Sequence, residues 1–249
     1  MSVLTKRQDV ALDSAAARLA QNLKRSHFAK VAGAAMANAL EVTDDDIARF
    51  TGYWEGLTLD RFMGDNGRYR YRRYSVLDLE RPTAPFELRP HGPYEQSTAV
   101  NPLNGGLRRE FDPIEPGFLS SPVLQRFLRF LATAYDRVEG VEAPWVVRLH
   151  PYRIRADVEA VGKPAPEGLH RDGVDFVLTL MLRRHNIRGG ESSVATSERE
   201  VLWRHTLTNP LDLLVCNDRE VMHGVTDIER VDPTRSAWRD VLVVAFSRQ

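Results

Sequence analysis

A His-x-Asp pair and one distant histidine constrain this chain more than any other feature. His170 and Asp172 lie in the segment HRDGVDF, and His223 follows much later in VMHGV. On a β-strand, residues i and i+2 point to the same side, so the pair can meet one ion if the segment is extended. The apolar run FVLTLML at 176–182 predicts a strand directly after it. The fold then has to bring the second histidine beside the pair.

Two imidazoles and one carboxylate match the facial triad of non-haem iron(II) oxygenases, which leaves three metal positions open. Taken alone, a His-x-Asp pair is more often a surface pair, or an imidazole oriented by its neighbour. A zinc hydrolase or a metal-dependent isomerase could use the same three side chains, with Glu167 as the acidic residue near the motif. The triad by itself therefore indicates a metal site without choosing the reaction.

Arg239 favours the oxygenase interpretation. It begins the segment RDVLVVAFSRQ, whose apolar run predicts a last strand that is buried on both faces. A buried guanidinium keeps its charge, and leaving it unpaired costs on the order of several kcal/mol. Asp240 or Asp227 could be its internal partner, and a bidentate carboxylate of a bound ligand is the other possibility. A zinc hydrolase would have no use for this arginine.

The order of these segments resembles a known enzyme family. EGLHRDGVDF, RRHNIRGGES, LDLLVCNDREVMHGVTDI and WRDVLVVAF are similar to segments of the bacterial iron(II)- and 2-oxoglutarate-dependent dioxygenases. That family includes the free amino-acid hydroxylases acting on isoleucine, leucine and pipecolic acid. The similarity covers residues 145–249 well and the N-terminal half only loosely. We therefore expect a mainly β protein with flanking α-helices, built on a double-stranded β-helix, the cupin-like jelly-roll barrel.

The resemblance also implies a reaction. His170, Asp172 and His223 would be the ligands of Fe(II), with 2-oxoglutarate and O2 as cosubstrates and ascorbate as a stimulant. Decarboxylation of 2-oxoglutarate to succinate would be coupled to hydroxylation of an unactivated C–H bond in a free L-amino acid, aliphatic or cyclic. Related halogenases carry a small residue in place of this carboxylate, so Asp172 favours hydroxylation.

The same resemblance implies that Arg239 holds the distal carboxylate of 2-oxoglutarate. Many relatives carry a serine two positions after this arginine, where the present chain has Val241. A second contact to that carboxylate then has to come from elsewhere, and Tyr152 and Thr179 are the candidates.

Further polar residues have two interpretations each. Arg153 and Arg171 could pair with the carboxylate of an amino-acid substrate, although solvent exposure or an internal salt bridge is at least as good an explanation. Asp218 could orient the His223 imidazole through its second nitrogen, or could stabilise a turn. His150, in VRLHPY, is more readily explained as a hydrogen-bonded strand histidine than as a ligand.

The first part of the chain carries helix signals. The Ala-rich segment 8–40 predicts two outer helices, and Thr43 followed by Asp46 predicts the start of a third, running to about Leu57. A further helix is predicted after Ser121, with Gly140 just past its end.

Strand and loop signals occupy the rest. Arg and Tyr alternate in RYRYRRYSVLDL, which predicts an amphipathic strand from about Arg68. The proline-rich segment 81–117 predicts a long irregular loop of the kind that forms lids or substrate loops. From Pro144 onwards strands dominate, with a hairpin turn between strands predicted at Gly189-Gly190 and short strands around Val201, Leu213 and Val241.

Composition and charge narrow the remaining classes of function and the domain organisation. The chain has 249 residues, of which 43% are apolar, and its net charge is zero. We expect a single domain over 1–249, with a helix-rich part at 1–143 and the barrel strands and metal site at 144–249. A nucleic-acid-binding module built on RYRYRRY is the other alternative, but zero net charge and one short tract argue against it. Since no signal peptide or membrane-length run is evident, we expect a cytoplasmic enzyme with a small-molecule substrate and no nucleic-acid or membrane partner.

Overall fold

The structure, a computed structural model, describes residues 3–98, 105–157 and 161–249. Its helices are α1 (Val3–Ser26), α2 (Gly33–Leu40), α3 (Asp44–Gly52), α4 (Pro116–Leu119) and α5 (Pro122–Glu139), with a 3-10 turn at Tyr53–Gly56. The first seven strands are β1 (Phe28–Val31), β2 (Thr58–Leu59), β3 (Arg70–Arg72), β4 (Ser75–Leu79), β5 (Glu87–Leu88), β6 (Trp145–Arg155) and β7 (Phe176–His185). The later strands are β8 (Ile187–Gly189), β9 (Ser192–Ala195), β10 (Val201–His205), β11 (Leu213–Asn217), β12 (Met222–Val225), β13 (Ile228–Arg230) and β14 (Trp238–Arg248).

Local sequence explains where the predicted helices begin and end. The Thr43 hydroxyl accepts from the Asp46 amide while the Asp46 carboxylate accepts from the Thr43 amide, a capping box that starts α3. The 3-10 turn after α3 completes the helix predicted to run to about Leu57. Proline follows Ser121 at the first turn of α5, and Gly140 ends it in the left-handed conformation with φ of 75°.

The Ala-rich segment contains a strand that the sequence analysis missed. Two helices form there as predicted, but β1 lies between them and pairs antiparallel with β11. His27 has φ of 63°, which ends α1 and turns the chain into the sheet. The four residues of β1 are too few for their hydrophobic pattern to be distinguished from that of the helices on either side.

Nine strands form the main sheet. Its order is β1-β11-β7-β14-β6-β3-β2, with β4 pairing β6 and β5. The three-stranded sheet β10-β9-β12 and the pair β13-β8 lie apart from it. Five strands of the main sheet therefore come from the segment 1–143, which was predicted to be helix-rich. Long-range pairing with β11 and β6 places β1, β3 and β4 there, and β2 and β5 join through β3 and β4.

The main sheet is covered on both faces, as predicted from the apolar run in β14. On one face Leu242, Val244 and Phe246 pack in a core cluster shared with α1, α2, α3 and α5. On the other face Val241 packs with residues of β7 and β11 and with Val194 of β9 in the smaller sheet. Two antiparallel sheets facing one another, with helices on the outside, are the architecture of a jelly roll.

Several predicted boundaries need correction. RYRYRRYSVLDL forms two strands, β3 and β4, which pair with β6 in one continuous register. They are separated at residues 73 and 74, where Tyr74 bridges to Pro113 instead. The strand at Val241 is not short, since β14 has 11 residues. Gly189-Gly190 does not close a hairpin between β8 and β9, because β8 pairs with β13 and β9 with β10 and β12. Within 81–117 only β5 and α4 interrupt the irregular chain, apart from 99–104, which lie outside the described residues.

Among the described residues, no helix combines the length and apolar character needed to cross a membrane.

A matched pair of leucines tests the two-sided packing. Leu242 in β14 is fully buried, whereas Leu202 in β10 is 49% exposed. We expect Leu242→Ala to lower the free energy of unfolding by about 2–5 kcal/mol, and Leu202→Ala by less than about 0.5 kcal/mol. Urea denaturation followed by circular dichroism measures both. Equal losses for the two variants would contradict this account of the core.

Candidate metal centre

The backbone brings the two histidines of the triad together. His170 and His223 form an isolated antiparallel bridge, in which each amide donates to the other carbonyl oxygen at 2.9 Å. Their ring centroids lie 4.5 Å apart. His223 belongs to β12, but the segment from His170 to Asp172 is a connection before β7 rather than the expected strand. Cross-chain pairing, not strand periodicity, therefore sets the geometry of this pair.

The three side chains offer one cluster of ligand atoms. One nitrogen or oxygen from each of His170, Asp172 and His223 lies within 4.8 Å of the others. Asp172 oxygens are 3.9 Å from Nε2 of His170 and 3.5 Å from Nε2 of His223. Nδ1 of His170 donates to the Gly168 carbonyl oxygen at 2.8 Å, which leaves Nε2 free of a proton for a metal. The donor set fits a divalent transition metal.

Asp218 holds the loop that carries the carboxylate ligand. This buried side chain accepts from the amides of residues 172, 173 and 174, at 3.1, 2.8 and 3.1 Å. Its Oδ1 also lies 3.7 Å from Nδ1 of His223. Asp218 therefore stabilises the turn, and its carboxylate lies near the second imidazole nitrogen without a hydrogen bond to it.

Electrostatic interactions within the cluster keep its carboxylate ionised. Burial raises the pKa of Asp172, but the neighbouring His223 and His170 outweigh burial and hold that pKa well below its usual range. Burial lowers the pKa of His223, and the hydrogen bond and charge of Asp172 reverse this and raise it. Asp172 is therefore ionised, as a carboxylate ligand has to be.

Arg239 lies in the same cavity as the triad and is 2% exposed. Its Nε and Nη2 atoms are buried without a hydrogen-bond partner among the described residues. Burial, together with Arg184 nearby, lowers the pKa of Arg239 to about 9, so the guanidinium is still charged at neutral pH. A buried cation in this position fits an anionic ligand.

The internal partners considered for Arg239 are not used. Asp240 instead accepts from Arg153 at 2.7 and 2.9 Å and from Arg183 at 3.0 Å. Asp240 follows Arg239 on β14, so its side chain points to the opposite face of the sheet. The side chain of Asp227 forms no ion pair with Arg239.

The other residues considered for 2-oxoglutarate and substrate divide into two groups. Tyr152, Thr179 and Val241 line the cavity with Arg239. Arg153 lies outside the cavity and forms the internal salt bridge that was its alternative interpretation. Besides Asp240 it binds Glu55, at 2.9 and 3.0 Å. Arg171 also lies outside the cavity lining, and its Nη2 donates to the Glu220 carbonyl oxygen at 3.1 Å.

Sequence analysis missed a set of cavity residues from the N-terminal part of the chain. They are Arg70, Arg72, Tyr94, Gln96 and Arg109. The period-two alternation of RYRYRRY contained the signal, because Arg70 and Arg72 share the inner face of β3 and are buried. The nucleic-acid alternative rested on the same tract, of which Tyr69, Arg70, Arg72 and Tyr74 are buried.

His150 is confirmed as a hydrogen-bonded strand histidine. It is buried in β6, its Nδ1 contacts Nη2 of Arg72, and its ring stacks on Tyr74 with centroids 4.9 Å apart. Burial lowers the pKa of His150 well below its usual range, and Arg72 lowers it further. The imidazole is therefore neutral and accepts from the guanidinium.

A family model described as 2OG-Fe dioxygenase matches residues 51–245. The chain belongs to the 2OG-Fe dioxygenase family. A relative named L-isoleucine-4-hydroxylase, from Bacillus thuringiensis, is 30% identical over 184 residues, which are 73% of this chain and 76% of the relative. The 3(1)-hydroxy-L-isoleucine 4-dioxygenase of Pantoea ananatis is 24% identical over 208 residues, 82% of each protein. The crystal structure of a bsmA homolog from Methylobium petroleophilum PM1 is 32% identical, with a TM-score of 0.84, and the match covers 94% of this chain and 93% of that one.

Membership in the 2OG-Fe dioxygenase family confirms the jelly-roll fold and the oxygenase interpretation. The family's cofactor and cosubstrates are Fe(II), 2-oxoglutarate and O2, and both the His-Asp-His cluster and the unpaired Arg239 fit them. The zinc hydrolase alternative is thereby set aside, since it explains the three ligands but not the arginine.

Asp218 provides a test of how the centre is held. In Asp218→Ala three loop amides lose their acceptor, so we expect Fe(II) affinity to fall about 10- to 100-fold while the fold survives. Glu220→Ala, an exposed neighbour, should bind Fe(II) as the wild type does. Anaerobic calorimetric titration measures the affinity, and thermal melting checks the fold. Undiminished Fe(II) affinity in a folded Asp218→Ala protein would show that the loop does not depend on this carboxylate.

Proposed function

We propose that this dioxygenase hydroxylates an unactivated C–H bond of a free L-amino acid, aliphatic or cyclic. His170, Asp172 and His223 bind the iron, and Arg239 binds the distal carboxylate of 2-oxoglutarate. The observation that carries this proposal is the buried Arg239 guanidinium, which lies in the cavity of the triad with two unpartnered nitrogens. A planar guanidinium fork matches a carboxylate in bidentate geometry.

His170, Asp172 and His223 would hold Fe(II) in the lining of the cavity. When bound, Fe(II) supplies the oxidative chemistry that couples decarboxylation of 2-oxoglutarate to hydroxylation of the substrate. His170 stays fixed through its hydrogen bond to the Gly168 carbonyl oxygen, and Asp172 through the loop that Asp218 closes. The chain thereby holds the three donors in place before the metal arrives.

The cavity walls position the cosubstrate and limit water. Val241 and Val243 form an apolar strip of β14 beyond Arg239, and Thr179 lies opposite Val243 on β7. Tyr152 lies opposite Val241 on β6. We assign the second polar contact to the distal carboxylate to the Thr179 hydroxyl or the Tyr152 phenol, in place of the serine that many relatives carry where Val241 stands.

The choice of a free amino acid rests on the relatives. Two of them, from separate bacteria, are named as hydroxylases or dioxygenases of isoleucine or a hydroxylated isoleucine, and each match covers more than 70% of this chain. A screen of proteinogenic and cyclic L-amino acids with Fe(II), 2-oxoglutarate and ascorbate tests this choice. A mass gain of one oxygen together with succinate supports it, and turnover of none of them would overturn it.

We also propose that residues 1–249 act as one catalytic domain in the cytoplasm, with neither nucleic acid nor membrane as a partner. Strands from both parts of the chain share the main sheet and line one cavity. A reducing compartment suits an iron(II) enzyme.

Replacement of any metal ligand should stop the reaction. His170→Ala, Asp172→Ala and His223→Ala each remove one of three donors, so we expect succinate formation to be abolished in all three variants. His205→Ala, at an exposed histidine of β10, should keep wild-type turnover. The measurement is succinate production with saturating Fe(II) and 2-oxoglutarate. Near wild-type turnover in any one ligand variant would refute the assignment of that triad.

Variants of Arg239 test the cosubstrate site. Lys keeps the charge but loses the fork, and Ala removes both, so Arg239→Ala should weaken the apparent 2-oxoglutarate affinity far more than Arg239→Lys. Loss of a charged, partly desolvated pair corresponds to about 2–5 kcal/mol. Arg235→Ala, at an exposed arginine nearby, is the matched control and should behave as wild type. The 2-oxoglutarate dependence of succinate production measures this effect, with circular dichroism as the folding check. An unchanged dependence in folded Arg239→Ala protein would mean that another group holds the cosubstrate.

A further inference from the structure

The cavity contains a second basic group that the cosubstrate site does not use. Arg72 on β3 and Arg109 in the connection before α4 are 1% and 2% exposed, and both line the cavity of the triad. The lining includes four arginines, but its carboxylates are those of Asp172 and Glu167. Burying this much positive charge is unfavourable unless an anion joins it.

Arg109 is held in place by neutral groups. Its backbone pairs with that of Tyr94 through hydrogen bonds of 2.8 and 3.1 Å, and its guanidinium carbon lies 4.7 Å from the centre of the Tyr94 ring. Nη2 donates to Oε1 of Gln96 at 2.9 Å, while Nε is buried without a partner. Within the described ranges of the chain, no carboxylate forms an ion pair with Arg109. Its charge is therefore oriented but not neutralised.

Arg72 is only weakly compensated. Asp60 lies 2.7 Å from Arg70 but 3.9 Å from Arg72, so it is mainly the partner of Arg70. The Arg72 guanidinium instead contacts the neutral His150 and the ring face of Phe111, and its Nε is unpartnered. Burial lowers the pKa of Arg72, which is the response of a cation that lacks a full counter-charge.

This basic group lies apart from Arg239 within the lining of the cavity. Arg72 pairs with Tyr152 on β6, and Tyr152 pairs with Val241 on β14, so one strand separates β3 from the strand of Arg239. At about 4.8 Å per strand, the two strands are roughly 10 Å apart. Tyr94, whose ring faces the Arg109 guanidinium, lines the same cavity as Asp172. The group therefore shares the cavity with the metal ligands and is distinct from the cosubstrate arginine.

We propose that Arg109, supported by Arg72, binds the α-carboxylate of the amino-acid substrate, and that Tyr94 and Gln96 position the Arg109 guanidinium for it. This assignment rests on the proposed function and specifies how the same site recognises its substrate. It replaces Arg153 and Arg171, which lie outside the cavity. A carboxylate fits better than a neutral polar group, because only an anion offsets two buried guanidinium charges.

The test compares free amino acids with their carboxamides. L-isoleucine, L-leucine and L-pipecolic acid, each beside its primary carboxamide, are titrated calorimetrically into the anaerobic Fe(II) enzyme with 2-oxoglutarate. We expect the wild type to bind at least one acid more tightly than its amide by about 30-fold or more, the effect of removing one partner of a buried charge pair. This comparison needs no variant, so it remains decisive if a substitution unfolds the protein.

Variants at position 109 then locate the effect. We expect Arg109→Gln to lose most of the difference between acid and amide, Arg109→Lys to keep part of it, and both to retain 2-oxoglutarate affinity. Arg108→Gln is the matched control, because that side chain is 70% exposed and pairs only with Glu95 among the described residues. A general loss of structure would weaken acid and amide alike and would not remove the difference between them.

Each contrary result has a definite meaning. Equal binding of acid and amide by the wild type, or full discrimination in folded Arg109→Gln protein, overturns the carboxylate assignment while amino-acid hydroxylation stands. If the wild type binds none of the three acids and the wider screen yields no hydroxylated amino acid, the proposed function fails, and this assignment fails with it.

Discussion

The structure depends on a central sheet that is buried on both faces. One face of β6, β7 and β14 packs on helices mainly through apolar side chains, with the ion pairs of Asp240 at one end of it, and it contributes stability. The other face meets the smaller sheet and has to hold charged groups away from water. Each of those charges needs a partner, and Asp60 provides one for Arg70, whereas Arg72 contacts the neutral His150. The proposed ligand contacts rest on the guanidinium groups that lack a full counter-charge, Arg239, Arg72 and Arg109.

The metal centre is built by cross-chain pairing rather than by one regular strand. The bridge between His170 and His223 fixes the backbone of two donors, and Asp218 closes the loop that carries Asp172. A connection held in this way lets the donors converge, whereas a regular strand would keep them about 6–7 Å apart at the backbone. The geometry of the triad thus depends on residues that are far apart in sequence. It also depends on Asp218, an acidic residue that is not one of the three candidate ligands.

Neighbouring arginines in this protein have unrelated roles because adjacent residues of a strand face opposite ways. Arg153 binds Asp240 and Glu55 on the outer side, and with Arg183 it lowers the pKa of Glu55 to about 2. Arg239, one residue before Asp240, faces inward and has no such partner. The outer ion-pair network therefore occupies the acidic residues that could otherwise have neutralised the inner guanidinium, and it leaves the cavity free for an anionic ligand.

The sequence by itself predicted the candidate metal donors, the buried basic residue of β14 and the helices around Thr43 and Ser121, because these depend on residue chemistry, local capping and short-range periodicity. The reaction class followed from the resemblance of its segments to a known family. Tertiary structure alone decided which arginines face the cavity. Arg153 and Arg109 look alike in sequence, yet one pairs with Asp240 and the other lines the site, since that outcome depends on strand register over many residues. The N-terminal strands joined the main sheet for the same reason: a strand of a few residues is specified by its partner, and the partner is distant in the chain.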